Sequence, residues 1–201
     1  IDNMKRIVQM MSVCSLFLFT SCSSKTFEPL TCSNPWKDDY RDISSMKDYA
    51  KWGTYNVHDP SCKLFGDTYY MYSTDAIFGE NKKEIQESNL PFGNIQVRKS
   101  KDLVHWEFAG WAFSEIPAEA KNWVLDKSGG RGATNIWAPY ILQFNGKYRL
   151  YYCVSAFAKQ ISYIGLAESG SPEGPWTLKG CVVKTKTGDK MNAIDPSVVI
   201  N

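Results

Sequence analysis

The stretch APYILQFNGKYRLYYCVS (residues 138–155) consists of an apolar strand pattern, a turn and an aromatic second strand pattern. An earlier stretch, DPSCKLFGDTYYMYST (residues 59–74), has the same layout. Each contains a dipeptide that is typical of tight hairpin turns, namely Gly66-Asp67 and Asn145-Gly146. Both stretches therefore predict β-hairpins.

The spacing within the two stretches is the same. Pro60 precedes Tyr69 by nine positions, and Pro139 precedes Tyr148 by the same nine. Tyr72 and Tyr151 also match, because each follows its proline by the same number of positions. The two stretches therefore indicate an internal repeat.

The repeat continues beyond the hairpins. NIQVRKSKDLVHWEFAGWAF (residues 94–113) and ISYIGLAESGSPEGPWTLKGCVV (residues 161–183) each predict a short strand, a polar turn and another strand. In each, a Trp is followed four positions later by a Gly, in the pairs Trp106/Gly110 and Trp176/Gly180. Four short antiparallel strands per unit, repeated along the chain, predict an all-β protein built from β-propeller blades.

The stretch MNAIDPSVVIN (residues 191–201) repeats the Asp-Pro-Ser of residues 59–61 and then begins an apolar run. We interpret it as the start of a third blade. Because a propeller needs at least about four blades to close, the sequence is expected to be part of a longer propeller. The stretches between strands, residues 75–93 and 114–135, predict long loops with short helical turns.

The N-terminus predicts export. Residues 4–6 (Met-Lys-Arg) precede an apolar run over residues 7–20, and residues 19–22 (Phe-Thr-Ser-Cys) resemble a bacterial lipoprotein box with Phe in place of the usual Leu. We expect a lipoprotein signal peptide over residues 1–22 with lipidation at Cys22, a tether and lead-in over residues 23–50, and a partial propeller domain over residues 51–201. The alternative is an ordinary signal peptide with a coincidental Cys. These features indicate a secreted lipoprotein anchored to a membrane.

Composition narrows the functional classes. The formal net charge of +2, without a run of like charge, gives no reason to expect a nucleic-acid partner. The Cys residues lack CxxC spacing, so a zinc site is not indicated. Cys153, inside an apolar strand pattern, is expected to be a small buried hydrophobe.

Three short stretches mark the heads of the units: HDPS, WAPY and IDPS. The first strand of every blade lines the central channel of a propeller, so Asp59 and Asp195 are expected to converge on one cavity, with Trp137 on the blade between them. Two carboxylates beside an aromatic ring suggest glycoside hydrolysis. Asp-Pro is equally a common structural turn pair, and the pattern alone leaves both interpretations open.

Four stretches together look like glycoside hydrolase family 43: residues 56–74, RKSKDLVHW (residues 98–106), residues 135–169 with WAPY, and NAIDP (residues 192–196). The closest likeness is to its endo-1,5-α-L-arabinanases. The resemblance implies a five-bladed β-propeller and hydrolysis with inversion. Rival interpretations are an arabinofuranosidase or β-xylosidase on the same scaffold, or a non-catalytic sugar-binding lipoprotein.

The resemblance also implies roles for individual residues. Asp59 matches the general base, and Asp195 matches a third carboxylate that orients the general acid and raises its pKa. The neighbouring substrate contacts are matched by Asn192, Ala193 and Ile194, and His58 is expected to hold a hydrogen bond beside Asp59.

The aromatic residues Phe157 and Trp137 each have two alternative roles. Phe157 matches an aromatic that packs against the sugar, with ordinary core packing as its alternative. Relatives often carry Gly where Ala158 stands, which puts close contact of that backbone with the sugar in doubt. Trp137 is either a sugar platform or a packing residue.

Two features of the family are expected to lie outside this sequence. The general acid is a Glu on a later blade, so the sequence as given is expected to be inactive. The resemblance also implies a calcium or other ion in the propeller channel, with no metal ligand assigned among these residues. The expected partner is arabinan or an arabino-oligosaccharide.

Overall fold

The structure, a computed structural model, describes residues 45–75 and 82–200. The predicted signal peptide, the lipidation site Cys22 and the tether up to residue 44 lie outside these ranges. Within them, no helix combines the length and the apolar character that crossing a lipid bilayer requires.

Two four-stranded antiparallel sheets form the fold, which confirms the predicted repeat. The first has the order β1-β2-β3-β4 and contains β1 (His58–Phe65), β2 (Thr68–Thr74), β3 (Gln96–Ser100) and β4 (Glu107–Trp111). The second has the order β5-β6-β7-β8 and contains β5 (Ile136–Phe144), β6 (Lys147–Ser155), β7 (Ser162–Ser169) and β8 (Thr177–Thr185). Each sheet is one blade, and the first strand of each forms its inner edge.

The predicted turn residues occupy the expected positions. Asn145 and Gly146 both have positive φ, 50° and 72°, as a type I′ hairpin turn requires. The repeated glycines Gly110 and Gly180 lie in the outer strands at φ 131° and 95°, next to register shifts in the pairing with β3 and β7. They are therefore bulge glycines that occupy equivalent places in the two blades.

Both inter-strand loops contain helices, as the sequence predicted. Helix α1 (Lys82–Ser88) lies between β2 and β3, and α2 (Ala118–Ser128) lies between β4 and β5. Gly129 ends α2 in the left-handed region at φ 70°, and the Gly130 N–H donates to the Leu125 carbonyl at 2.7 Å.

A short 3-10 helix (Met46–Lys51) precedes the first blade. The Tyr49 ring packs against Phe108 and Trp111 of β4, each at a centroid distance of 5.0 Å, and Trp52 is buried against Phe92. The last residues of the expected tether and lead-in therefore pack against the outer strand of the first blade.

The main core lies between the two blades and under α2. It is built from apolar side chains of both sheets, of α2 and of the flanking loops: Tyr72, Ile95, Val97, Phe113, Ala120, Val124, Ala133, Ile136, Ile141, Leu150, Tyr152, Val154, Ala156, Ile161, Tyr163 and Ala167. Cys153 is fully buried, as expected. Burial of this shared surface stacks the second blade on the first.

Side-chain hydrogen bonds fix the register between the blades. The Ile141 N–H donates to Ser61 Oγ at 3.2 Å, and the Ala138 N–H donates to Thr74 Oγ1 at 2.7 Å. The Tyr140 hydroxyl donates to the Val198 carbonyl at 3.2 Å, which ties the segment after Asp195 to the second blade. That segment pairs with no strand among the described residues, and its interpretation as the start of a third blade stays a prediction.

Candidate active site

The heads of the three inner segments share an unusual backbone conformation. Asp59, Ala138 and Asp195 each precede a proline and have positive φ, at 47°, 38° and 55°. In β1 and β5 this residue lies in a register shift, between His58 and Ser61 and between Trp137 and Tyr140. A non-glycine residue in the left-handed region is strained by about 1–2 kcal/mol, so the same strained backbone conformation is adopted three times, twice within a bulge.

Ala138 bears on the role of the two aspartates. At the equivalent position of the second blade, Ala138 forms the bulge, and its N–H donates to the Thr74 hydroxyl oxygen. The bulge therefore forms without a carboxylate at this position. The bulge of β1 therefore does not by itself require the Asp59 carboxylate, and the turn-forming and the catalytic roles of Asp59 and Asp195 both stay predictions.

Asp59 and Asp195 line one open cavity of about 350 Å³. Both side chains are exposed, and Ala138, Pro139 and Tyr140 of β5 line the same cavity. Lys63 lies over the Tyr140 ring at 5.2 Å from its centroid and brings a positive charge to the same cavity. The structure thus brings together the two carboxylates that the sequence singled out.

A pair of buried hydroxyl groups anchors the segment before Asp195. The Thr185 hydroxyl donates to Asn192 Oδ1 at 2.8 Å, and Ser162 Oγ lies 2.7 Å from the Ala193 carbonyl oxygen. The two hydroxyl oxygens are themselves 2.7 Å apart. Sequence reasoning missed Ser162 and Thr185, because single hydroxyl residues at strand ends carry no recognisable pattern.

Cys153 lies beneath Asp195. Burial raises the pKa of the Cys153 thiol to about 12, and the negative charge of Asp195 adds to the rise. The thiol is therefore neutral at ordinary pH, and it contributes packing without a competing charge under the carboxylate.

Two aromatic rings lie beside the strand ends. Trp137 is half-buried, whereas Phe157, which follows β6, is 86% exposed. Their ring centroids are 6.5 Å apart at an interplanar angle of 68°, an edge-to-face contact. Phe157 lies outside the core that the described residues form, and its role as a sugar contact stays a prediction.

The remaining predicted residues lie at the same end of the blades. His58 is exposed at the first position of β1, opposite Thr74, and Ile194 is exposed next to Asp195. Ala158 has φ 57°, a region that favours glycine, which fits the glycine expected there in relatives.

Among the described residues, no group of three or more His, Cys, Asp or Glu side chains could hold a metal ion. A calcium or other ion in the propeller channel stays a prediction from the family resemblance.

Two four-stranded blades place the chain among the β-propeller proteins, with two carboxylates and two aromatic rings near the heads of the inner strands. The sequence pattern of "Glycosyl hydrolases family 43" matches residues 53–201. The chain belongs to this family, and its two sheets are two blades of a five-bladed β-propeller.

Individual relatives support the assignment. The chain is 34% identical to the "Extracellular exo-alpha-(1->5)-L-arabinofuranosidase ArbA" of Cellvibrio japonicus over 72% of its length and 37% of the relative's. It is 33% identical to the "Extracellular endo-alpha-(1->5)-L-arabinanase 1" of Bacillus subtilis over 76% of its length and 42% of the relative's. The chain thus spans about two fifths of the length of these relatives.

Solved structures agree with the sequence relatives. The native arabinanase of Bacillus subtilis superposes with a TM-score of 0.58 at 31% identity, covering 72% of this chain and 44% of that one. The Cellvibrio cellulosa α-L-arabinanase complexed with arabinohexaose gives a TM-score of 0.56 at 33% identity, covering 73% and 41%.

Proposed function

We propose that the full-length protein is an inverting hydrolase of α-1,5-linked L-arabinan that cuts the polymer internally. The observation that carries this proposal is the convergence of Asp59 and Asp195 on one cavity, in a chain that belongs to family 43. The relatives named as endo-acting arabinanases, and the neighbour bound to arabinohexaose, support the substrate.

The proposed chemistry divides between the carboxylates. Asp59 takes a proton from a water molecule as the water oxygen attacks the anomeric carbon. The bond to the leaving oxygen breaks, and that oxygen receives a proton from a general acid, a Glu on a later blade by the family resemblance. Asp195 holds that acid in place, and its negative charge keeps the acid protonated at neutral pH.

The exposure of Asp59 suits this role. A base in an inverting enzyme must leave room for a water molecule between itself and the sugar. Within the described residues the carboxylate lines an open cavity that also contains Ala138, Pro139 and Asp195. This part of the cavity has room for a water molecule beside the carboxylate.

Exo action is the alternative, and a specific observation favours it: one similar relative is named an exo-acting enzyme. The two modes differ in whether loops close one end of the cleft. Product analysis separates them, because endo action on linear arabinan releases a ladder of oligomers early, whereas exo action releases only short products of one size.

The test is incubation of the full-length protein with debranched linear arabinan, followed by chromatography of the products. We expect oligomers of several lengths within the first few per cent of conversion. Xylan, incubated in parallel, should remain uncut, which separates the β-xylosidase alternative. Absence of cleavage together with tight arabinan binding would instead support the non-catalytic sugar-binding protein.

We also propose that the protein is exported and anchored to a membrane through a lipid on Cys22. The support is the lipoprotein-box resemblance of residues 19–22, together with relatives that are named extracellular. When producing cells are grown with radiolabelled palmitate, the wild-type protein should become labelled and the Cys22→Ala variant should not. Equal labelling of both would contradict the anchor.

A further inference from the structure

A closed ring of hydrogen bonds holds the head of β5. The Trp137 indole N–H donates to Asn135 Oδ1 at 2.8 Å, and Asn135 Nδ2 donates to the backbone carbonyl of Asp75 at 3.0 Å. Asp75 directly follows β2 of the other blade. Asn135 thus connects the indole of one blade to the backbone of the next.

The far end of this connection is rigid. Asp75 is fully buried, and its Oδ2 accepts the Gly93 N–H and the Trp111 indole N–H, both at 3.0 Å. The Gly93 carbonyl in turn accepts the Ile136 N–H at 2.7 Å, which closes the ring back onto β5. The carbonyl that Asn135 uses therefore belongs to a residue held from several sides.

Asparagine suits this position chemically. The indole N–H can only donate and the backbone carbonyl can only accept, so the bridging side chain must offer one acceptor and one donor. The carboxamide of Asn135 offers both, and these two partners fix which way it is turned. An aspartate would lack the donor, and an alanine would lack both groups.

The bridge sets the orientation of Trp137. With its N–H edge held by Asn135, the indole makes the edge-to-face contact with the exposed Phe157 ring. We propose that Asn135 is a positioning residue, which holds Trp137 in the orientation that receives an arabinose unit beside the Asp59 and Asp195 cavity. This inference rests on the proposed function and adds a determinant of substrate binding to it.

The first test is a double-mutant cycle in the full-length protein. Asn135→Ala should raise KM for linear arabino-oligosaccharides roughly tenfold and leave kcat within about twofold, as expected when the ground state and the transition state lose the same binding energy. In a Trp137→Phe background, which lacks the indole N–H, the same substitution should change KM by less than about twofold. Asn122→Ala, on the exposed side of α2, is the matched control and should leave KM unchanged.

Equal losses in both backgrounds would overturn the proposal, because Asn135 would then act independently of Trp137. An unchanged KM in Asn135→Ala would overturn it as well. In both cases the wild-type protein still cleaves arabinan and the proposed function stands. A wild-type protein without activity on arabinan would overturn the proposed function itself, and the inference with it.

A second readout requires no substrate. In ¹⁵N-tryptophan-labelled protein, the Trp137 indole hydrogen should exchange with solvent at least about tenfold faster in Asn135→Ala than in wild type. The Trp123 indole, which donates to the Thr185 carbonyl outside this ring, serves as the internal control and should keep its rate. An unchanged Trp137 rate would show that Asn135 does not hold the indole, which contradicts the inference whatever the substrate.

Discussion

Asp59→Asn in the full-length protein is expected to lower kcat on arabinan by at least about a thousandfold, within the range that a positioned general base contributes. The amide has nearly the shape of the carboxylate but cannot accept the proton of the attacking water. The fold should be preserved, because Ala138 shows that the same bulge forms without a carboxylate. Initial rates by reducing-sugar release and the thermal midpoint of both proteins provide the measurement.

The matched control for this substitution is Asp67→Asn. Asp67 lies in the turn at the other end of β1, where it is exposed and pairs with Lys101 at 2.6 Å. An exposed ion pair contributes little to stability, so this variant should fold normally and cleave arabinan at the wild-type rate. Asp195→Asn should lose most activity. Retention of more than about a tenth of wild-type kcat in Asp59→Asn would remove Asp59 from the role of base.

Gly132→Ala is expected to lower the stability of the fold strongly, because it adds both backbone strain and a steric clash. Gly132 has φ 77°, and a Cβ there would lie 2.5 Å from Ala156 Cα and 2.8 Å from the Ser155 carbonyl oxygen. Left-handed strain of about 1–2 kcal/mol adds to overpacking of about 1–3 kcal/mol. We expect the free energy of unfolding to fall by about 3 kcal/mol, measured by urea denaturation of the full-length protein.

Gly130→Ala separates the left-handed backbone strain from the overpacking. Gly130 has a similar φ of 80°, but a Cβ there would meet nothing within 4 Å. This control should lose only the strain contribution, about 1–2 kcal/mol. Since Ser155 and Ala156 lead into Phe157, Gly132→Ala should also raise KM for arabino-oligosaccharides. Equal destabilisation by the two substitutions would show that the backbone at Ala156 yields to the added methyl group.

The blades were predictable because their signals are local. Hairpin dipeptides at residues 66–67 and 145–146 and a repeated Trp-to-Gly spacing specify strand ends without reference to the rest of the chain. The contacts between blades were not predictable in this way. Ser61 and Ile141 are 80 residues apart, and only the stacking of the two sheets brings their hydroxyl and amide groups together.

The site was partly predictable for the same reason. Asp59 and Asp195 occupy equivalent positions of the repeat, so the sequence alone predicted that both would line one cavity. The sequence alone could not show that the Asp-Pro conformation also forms without an aspartate. That comparison requires the backbone angle of Ala138, whose φ is 38°. Asn135 was missed, since a single Asn in a polar loop gives no sign that it accepts the hydrogen of an indole two residues away.

The central claim is that Asp59 and Asp195 act on one sugar in one cavity. A crystal structure of the full-length Asp59→Asn variant with a linear arabino-oligosaccharide tests it directly, because the inactive variant retains uncut substrate. We predict an arabinose unit in the cavity lined by Pro60, Ala138 and Pro196, with the residue 59 amide one water molecule from the anomeric carbon and Asp195 beside the same unit. An oligosaccharide bound elsewhere, or an Asp195 side chain turned away from the occupied cavity, would contradict the account.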